Sequence, residues 1–322
     1  MTMRRFRRTV VAGALAVAVG ATGWAAPASA VVGGAPTEVG FYPYFVKLSV
    51  VYLRGGAVYG TGLCGGSVIG AGWILTAAHC FEQKDGVPFS GIGAHVSTGL
   101  ELTGMLAAVH PRFNGHTTDG HDLALVRVAE SYTYSIPWIQ VGAPGDPDAY
   151  VPGTLATIMG HGRTSAGGKD SVQLRAVNSV LRSDDYMDDL YNKWYWFDYW
   201  PDPLVIGAGA SRRTACNGDS GGPLVVYRDG VHVQVGVASF TKESCNAPAG
   251  FAELSGSQLA WIATQVPSIS QRWGFCDAGL GTIGRYTANY STMPFAGAER
   301  DGSYYWGFGC EPFEPLPTVR AG

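Results

Sequence analysis

Short runs of β-branched and aromatic residues recur along the chain, broken by Gly, Pro, Asn and Asp. The clearest are "YFVKLSVVYL" (44–53), "GWILTA" (72–77), "LALVRV" (123–128), "TLATIMG" (154–160), "PLVVY" (223–227) and "VQVGVASF" (233–240). Runs of this length between turn residues predict an all-β barrel or sandwich. One stretch departs from that pattern. "SGSQLAWIATQV" (255–266) places Leu259, Ile262 and Val266 at helical spacing and predicts a short helix. "GAPGDPDAYVPG" (142–153) has no apolar period and reads as a linker between two β units. No internal repeat is visible.

The first 30 residues follow different rules. Arg4, Arg5, Arg7 and Arg8 precede an apolar Ala/Val/Gly run from Val10 to about Ala21, and small residues lead to Ala28-Ser29-Ala30. A basic start, a short apolar run and an A-x-A end are the marks of an export signal. The run is short for a membrane anchor, which needs about 20 apolar residues. Arg7-Arg8 also resembles a twin-arginine signal, so two export routes stay open. Ala26-Pro27-Ala28 is a second A-x-A and would leave a Ser-Ala dipeptide. A cut after Ala30 leaves 292 residues with 18 basic against 25 acidic side chains, net −7. That balance argues against nucleic acid or anionic lipid as partner. The expected organisation is a signal over 1–30, β units over 31–142 and 143–266, and an extension over 267–322.

Two segments stand apart. Residues 184–202 hold six Asp and eight aromatics. They are expected to cover a hydrophobic edge with the acids outside, Trp194, Trp196 and Tyr199 being the alternative candidates for distant subsites. Asp184, Asp185, Asp188 and Asp189 could offer oxygens to calcium, but their spacing forms no recognised loop. Residues 267–322 are rich in Gly, Tyr and Trp. They are expected to pack on the barrels, glycan binding being the alternative. The six cysteines, Cys64, Cys80, Cys216, Cys245, Cys276 and Cys310, show no C-x-x-C spacing. In an exported chain they read as disulfides rather than zinc ligands. A zinc role for His110, His116 and His121 is disfavoured likewise. No metal and no cofactor is expected.

"TACNGDSGGP" (214–223) carries the most chemistry. Glycines around Ser220 let the backbone turn sharply and aim the N–H groups of Gly218 and Ser220 at one point, where an oxyanion could sit. A serine hydroxyl needs an adjacent base. "LTAAHC" (75–80) offers His79, and "HDLALVRV" (121–128) offers Asp122 to orient it.

The order His…Asp…Ser within "TAAHC", "HDLALV" and "GDSGGP" resembles the chymotrypsin/trypsin family of serine proteases, most of all its secreted bacterial members. The resemblance runs from Val31 to about Val266. It implies two antiparallel six-stranded β-barrels with a short C-terminal helix, here followed by a disulfide-stapled extension. It implies a secreted endopeptidase with His79, Asp122 and Ser220 as triad and protein or peptide substrates. Protein inhibitors are further expected partners, and the chain is expected to act as a monomer. It further implies disulfides Cys64–Cys80 and Cys216–Cys245; Cys276–Cys310 would staple the extension. A further family disulfide is missing, with Gly207 where one cysteine would fall. "VVGG" (31–34) resembles the family's inserted N-terminus, whose ammonium would pair with Asp219. Signal removal would then itself create the working terminus. Thr214 stands at the pocket floor where a cation-binding member has aspartate. Ser239 and Phe240 stand where substrate backbone binds. Thr241 would shorten the pocket and Gly250 would keep the other wall open. These imply cleavage after a small or medium uncharged residue, a deeper pocket being the alternative. A non-catalytic binding module on the same fold is the rival function.

Overall fold

The computed structural model describes residues 31–269 apart from 39, 97–98, 135, 193–199, 202 and 229. It also describes two paired dipeptide strands, Ser303–Tyr304 and Val319–Arg320. A two-residue strand β1 (Ala35–Pro36) precedes β2 (Phe45–Arg54), β3 (Ala57–Gly70), β4 (Trp73–Thr76), β5 (Phe89–Val96), β6 (Glu101–Val109) and β7 (Ala124–Arg127). Strands β2 to β7 close a barrel in the order β2-β3-β4-β7-β6-β5. Alternation along β2 sends Val46, Leu48, Val50 and Tyr52 inward, and all four are buried. Each apolar side chain so buried stabilises the fold by roughly 1.5–3 kcal/mol before entropy is counted.

A single helical turn α1 (Glu130–Thr133) and strand β8 (Gln140–Val141) lead to the second unit. It comprises β9 (Leu155–Gly160), β10 (Arg175–Arg182), helix α2 (Asp184–Asn192), β11 (Val205–Ala208), β12 (Pro223–Arg228), β13 (Val231–Phe240) and β14 (Ala249–Glu253). The pairings β9–β10, β10–β11, β11–β14, β14–β13, β13–β12 and β12–β9 close a second six-stranded antiparallel barrel. Helix α3 (Gly256–Gln265) follows, on the residues whose spacing predicts it. No described helix is long and apolar enough to cross a membrane.

The chain ends cross between the units. Strand β1 pairs with β10, Ala35 opposite Ala176, so the first described residues join the second barrel rather than the first. Leu259, Ile262, Ala263 and Val266 of the α3 region pack into the core that holds Val68, Ile69 and Ile74 of the first barrel. Strand β8, before residue 142, also pairs with β13 of the second unit, so β1, β8 and α3 all bind the unit on the other side of residue 142. The Gly/Pro-rich linker is also tied down: the Tyr150 hydroxyl donates to the Leu254 carbonyl at 2.8 Å. Between the barrels, buried Ser67 donates to buried Gln234 at 2.6 Å.

Helix α2 and Trp200 cover an edge of the second barrel. Met187, Tyr191, Trp200 and Val205 are buried together, with Phe240 against them. A side chain at Gly207 would place its Cβ 2.4 Å from the Met187 side chain. Methionine thus fills the space beside the position where the resemblance lacks a cysteine. Trp194, Trp196 and Tyr199 lie outside the described residues.

Candidate active site

The motif residues gather where the two barrels touch. His79 lies in the 3-10 turn Ala78–Phe81, directly after β4, and Cys80 of that turn is bonded to Cys64 of β3. Asp122 precedes β7, the strand beside β4, and is fully buried. The His79 Nδ1–H donates to Asp122 Oδ2 at 2.6 Å, and the His79 backbone N–H donates to Oδ1 at 2.9 Å. Both carboxylate oxygens therefore fix one residue, ring and backbone together. The Ser239 hydroxyl donates to Oδ2 at 2.5 Å. Sequence reasoning gives Ser239 only a substrate-backbone role; its bond to Asp122 spans 117 positions and has no local signal.

The imidazole is about one-fifth exposed. Burial alone would push its pKa down. The charge and hydrogen bond of Asp122, with a smaller contribution from Glu82, outweigh burial and raise it above the ordinary 6.5.

Ser220 is half-buried in the turn before β12. Its carbonyl accepts from the Gly65 N–H at 2.6 Å, and Thr76 Oγ1 donates to the Gly65 carbonyl at 2.7 Å. A Cβ on Gly221 would fall 3.1 Å from the Ala77 amide nitrogen. The Ser220 turn is thus pressed against the segment that leads into His79. Gly218 has φ +90, a conformation that favours glycine. The N–H groups of Gly218 and Ser220 donate to no described protein acceptor, whereas the Asp219 N–H between them donates to Cys216. Two neighbouring amides left open are suited to an anion.

Asp219 is fully buried. Its Oδ1 accepts from the Gly162 N–H at 2.8 Å and its Oδ2 from the Cys216 N–H at 2.9 Å. The seat exists because of the "GHG" stretch: a Cβ at Gly160 would lie 2.1 Å from Oδ1, and one at Gly162 2.7 Å from the carboxyl carbon. No cation pairs with Asp219 among the described residues. Burial pushes its pKa up to about 7 against the two N–H bonds, and Asp170 adds to the rise. Val31 is also fully buried, and Val32 exchanges backbone bonds of 3.0 and 3.3 Å with Thr214. The Gly34 carbonyl accepts two bonds from buried Arg175, at 3.2 and 3.1 Å. The start of the described chain is thus already seated beside the Ser220 loop.

Thr214 is fully buried, and its Oγ1, like that of Thr241, has no partner. Cys216–Cys245 braces this region. The missing side chain of Gly250 faces the Phe240 ring. A Cβ there would fall 2.4 Å from the Phe240 ring, which lies across it and against Tyr191 and Trp200. Period-two alternation turns its neighbour Ala249 to the opposite face, where it packs with Val31, Ala208, Ala215 and Ala238. The alternation in "AGFAE" (249–253) is the signal that assigns these faces. Phe240 correspondingly joins the α2 cluster with its ring.

Asp184 accepts from the Trp200 indole N–H at 2.8 Å, and Asp188 accepts from Asn192. Among the described residues no group of three or more His, Cys, Asp or Glu side chains is placed to hold a metal ion. Cys276 and Cys310 lie outside the described residues.

Residues 31–262 match the family model described as Trypsin. Chymotrypsin-like elastase family member 1 from Macaca fascicularis is 32% identical over 248 residues, covering 74% of this chain and 90% of that protein. The Homo sapiens form is 32% identical over 74% of this chain and 93% of its own length. The venom peptide isomerase heavy chain of Agelenopsis aperta is 30% identical over 65% of this chain and 88% of that protein. A solved structure described as HL collagenase shares the fold, with TM-score 0.60 and 24% identity over 73% of this chain and 98% of its own.

Proposed function

The chain belongs to the trypsin family of serine peptidases, and from that premise we propose that it is an exported endopeptidase cleaving after a small or medium-sized uncharged residue through Ser220, His79 and Asp122. The observation that carries the reading is the buried carboxylate of Asp122 bonded through both oxygens to His79, where the barrels touch and the Ser220 turn is pressed against the segment that leads into His79.

In this reading Ser220 Oγ attacks the scissile carbonyl carbon while His79 Nε2 takes its proton. The Asp122 carboxylate holds the Nδ1–H tautomer and stabilises the imidazolium. The oxyanion lies between the Gly218 and Ser220 N–H groups, an interaction commonly worth about 2.7–4 kcal/mol per donor. His79 then protonates the leaving amine, and water, activated by the same base, releases the acyl group from Ser220.

Maturation follows from the seat of Val31. Its φ is +50, an unfavourable value for a β-branched residue. Cutting the Ala30–Val31 bond removes that dihedral and leaves a buried α-ammonium whose proposed partner is Asp219, an acid without a cation among the described residues. Signal removal would thus relieve strain and supply the charge in one step. N-terminal sequencing tests this; a fully active mature chain beginning at Ser29 sinks it.

The neutral Thr214 at the proposed pocket floor disfavours a substrate guanidinium, since a buried unpaired charge costs several kcal/mol. The relatives named as elastases fit an uncharged preference. Peptides with Arg, Phe, Leu, Val and Ala before the cut decide it: Arg winning by about a hundredfold overturns the pocket argument, and Phe winning favours a deep pocket. An organophosphonate probe tests the triad. Labelling of Ser220 that disappears in His79→Ala supports the enzyme; a folded, trimmed chain that takes no label is a binding module instead.

A further inference from the structure

The segment entering β7 holds a backbone shape that its own sequence does not enforce. His121 has φ +60, and the Leu123 N–H donates to the His121 carbonyl at 2.8 Å. Asp122 is therefore the middle residue of a three-residue turn. Non-glycine residues keep such conformations only where their surroundings over-determine them.

Here the surroundings are rings. His121 is 8% exposed and lies parallel to His110, with centroids 4.5 Å apart and planes within 4°. Trp261 of α3 meets His110 at 4.8 Å on a steep angle. The His110 N–H donates to the Leu123 carbonyl at 2.9 Å, so the stack is fastened to the backbone on the far side of Asp122. We propose that His110 and His121 are positioning residues whose neutral, buried stack holds the turn that aims Asp122 at His79. The inference rests on the catalytic roles proposed for those two residues.

The stack resists an added proton. His121 Nδ1 is buried without an acceptor, and His110 Nδ1 is already an acceptor for the Arg112 N–H at 3.3 Å. Among the described residues, Arg112 is the charged group and the neighbouring ring the titratable group that act on the pair, and α3 brings no titratable side chain to it. Burial first, then the other ring and Arg112, push His110 down to about 4; burial and Arg112 push His121 down as well. A histidine whose folded pKa is depressed stabilises the native arrangement fully above its unfolded value. That contribution fades as pH falls from about 6.5 toward the folded values.

The test uses the full mature chain and one peptide substrate, with kcat and KM followed from about pH 8 down to about pH 4. Asparagine tolerates positive φ but lacks the ring, so His121→Asn should lower kcat about tenfold with KM within about twofold. His121→Val, β-branched, should fall further. In the parent protein log kcat/KM should fall with unit slope below the His79 pKa and steepen as the stack charges. In His110→Phe, which keeps a ring without a proton site, the extra steepening should shrink to the share that His121 alone contributes. Should that variant not fold, His110→Gln supplies the same comparison. Undiminished kcat in His121→Asn, or superimposable acid limbs in the parent and the His110 variant, overturns the proposal. A parent protein that neither hydrolyses peptide nor takes the phosphonate sinks the catalytic reading and this inference with it; an active parent with unaltered variants sinks this inference alone.

Discussion

The two barrels contribute different kinds of parts to one site. The first supplies side chains, His79 and Asp122, set at the ends of neighbouring regular strands β4 and β7. The second supplies mainly backbone: open amides at Gly218 and Ser220, a buried acid behind them, and a turn braced by Cys216–Cys245. Strand ends are rigid because a ladder holds them on both sides. A turn has no ladder, so its shape depends on outside anchors. The second barrel accordingly spends buried polar contacts on its turn, including the N–H bonds of Gly162 and Cys216 to Asp219. Damage to the first half should therefore strike the chemical step, and damage to the second, Ser220 itself apart, should strike loop order or stability.

The largest expected effect is His79→Ala, which should lower kcat on the order of 10⁴-fold while thermal unfolding stays near that of the parent. A variant with more than a tenth of parental activity would remove His79 from the chemistry. Next comes Asp219→Asn in the mature chain. Removing one partner of a buried ion pair costs about 3–5 kcal/mol, which corresponds to roughly 10²–10⁴ in kcat/KM if the loop bears it all. Parental kcat/KM there would show that the oxyanion turn needs no charge behind it. Met187→Ala should leave kcat nearly intact but destabilise the second barrel by about 2–5 kcal/mol, a fall in Tm on the order of 10 °C. An unchanged Tm would mean that the space over Gly207 is filled from elsewhere.

The smallest effect sharpens the contrast through pH. Asp122 raises the His79 pKa, and the ring must be neutral to accept a proton. The acid limb of kcat/KM should therefore have its midpoint above 6.5 and fall about tenfold per pH unit below it. The same upward shift stabilises the folded state fully below about 6.5, and that contribution is lost as pH rises through the folded value. Activity and this share of stability thus run in opposite directions with pH. A midpoint below 6.5 would show that burial, not Asp122, dominates the imidazole.

Local pattern reached far into this molecule. The strand around Val46, Leu48 and Val50 and the helix around Leu259 and Ile262 announce themselves by period, because one face of each must be buried. "GDSGGP", "TAAHC" and "HDLALV" announce reactive groups because glycine, histidine and aspartate are costly choices without a use. Three features lay beyond that reach: Ser239 on Asp122, the Phe240 ring as the neighbour that Gly250 meets, and the crossing of β1 and α3 to the opposite units. In each, the partner stands on another element, and its identity follows from register and crossing.

The sequence by itself determined which segments are strands, where the chain turns and which side chains could carry chemistry. Those depend on backbone preference and on burial of one face, and both act over a few residues. Only the tertiary structure decided that a buried carboxylate meets His79 with both oxygens, that Asp219 sits in a seat cleared by two glycines, and that two histidine rings stack behind Asp122. Such contacts are fixed by strand register and by closure of each barrel, a long-range packing solution that no short window of residues encodes.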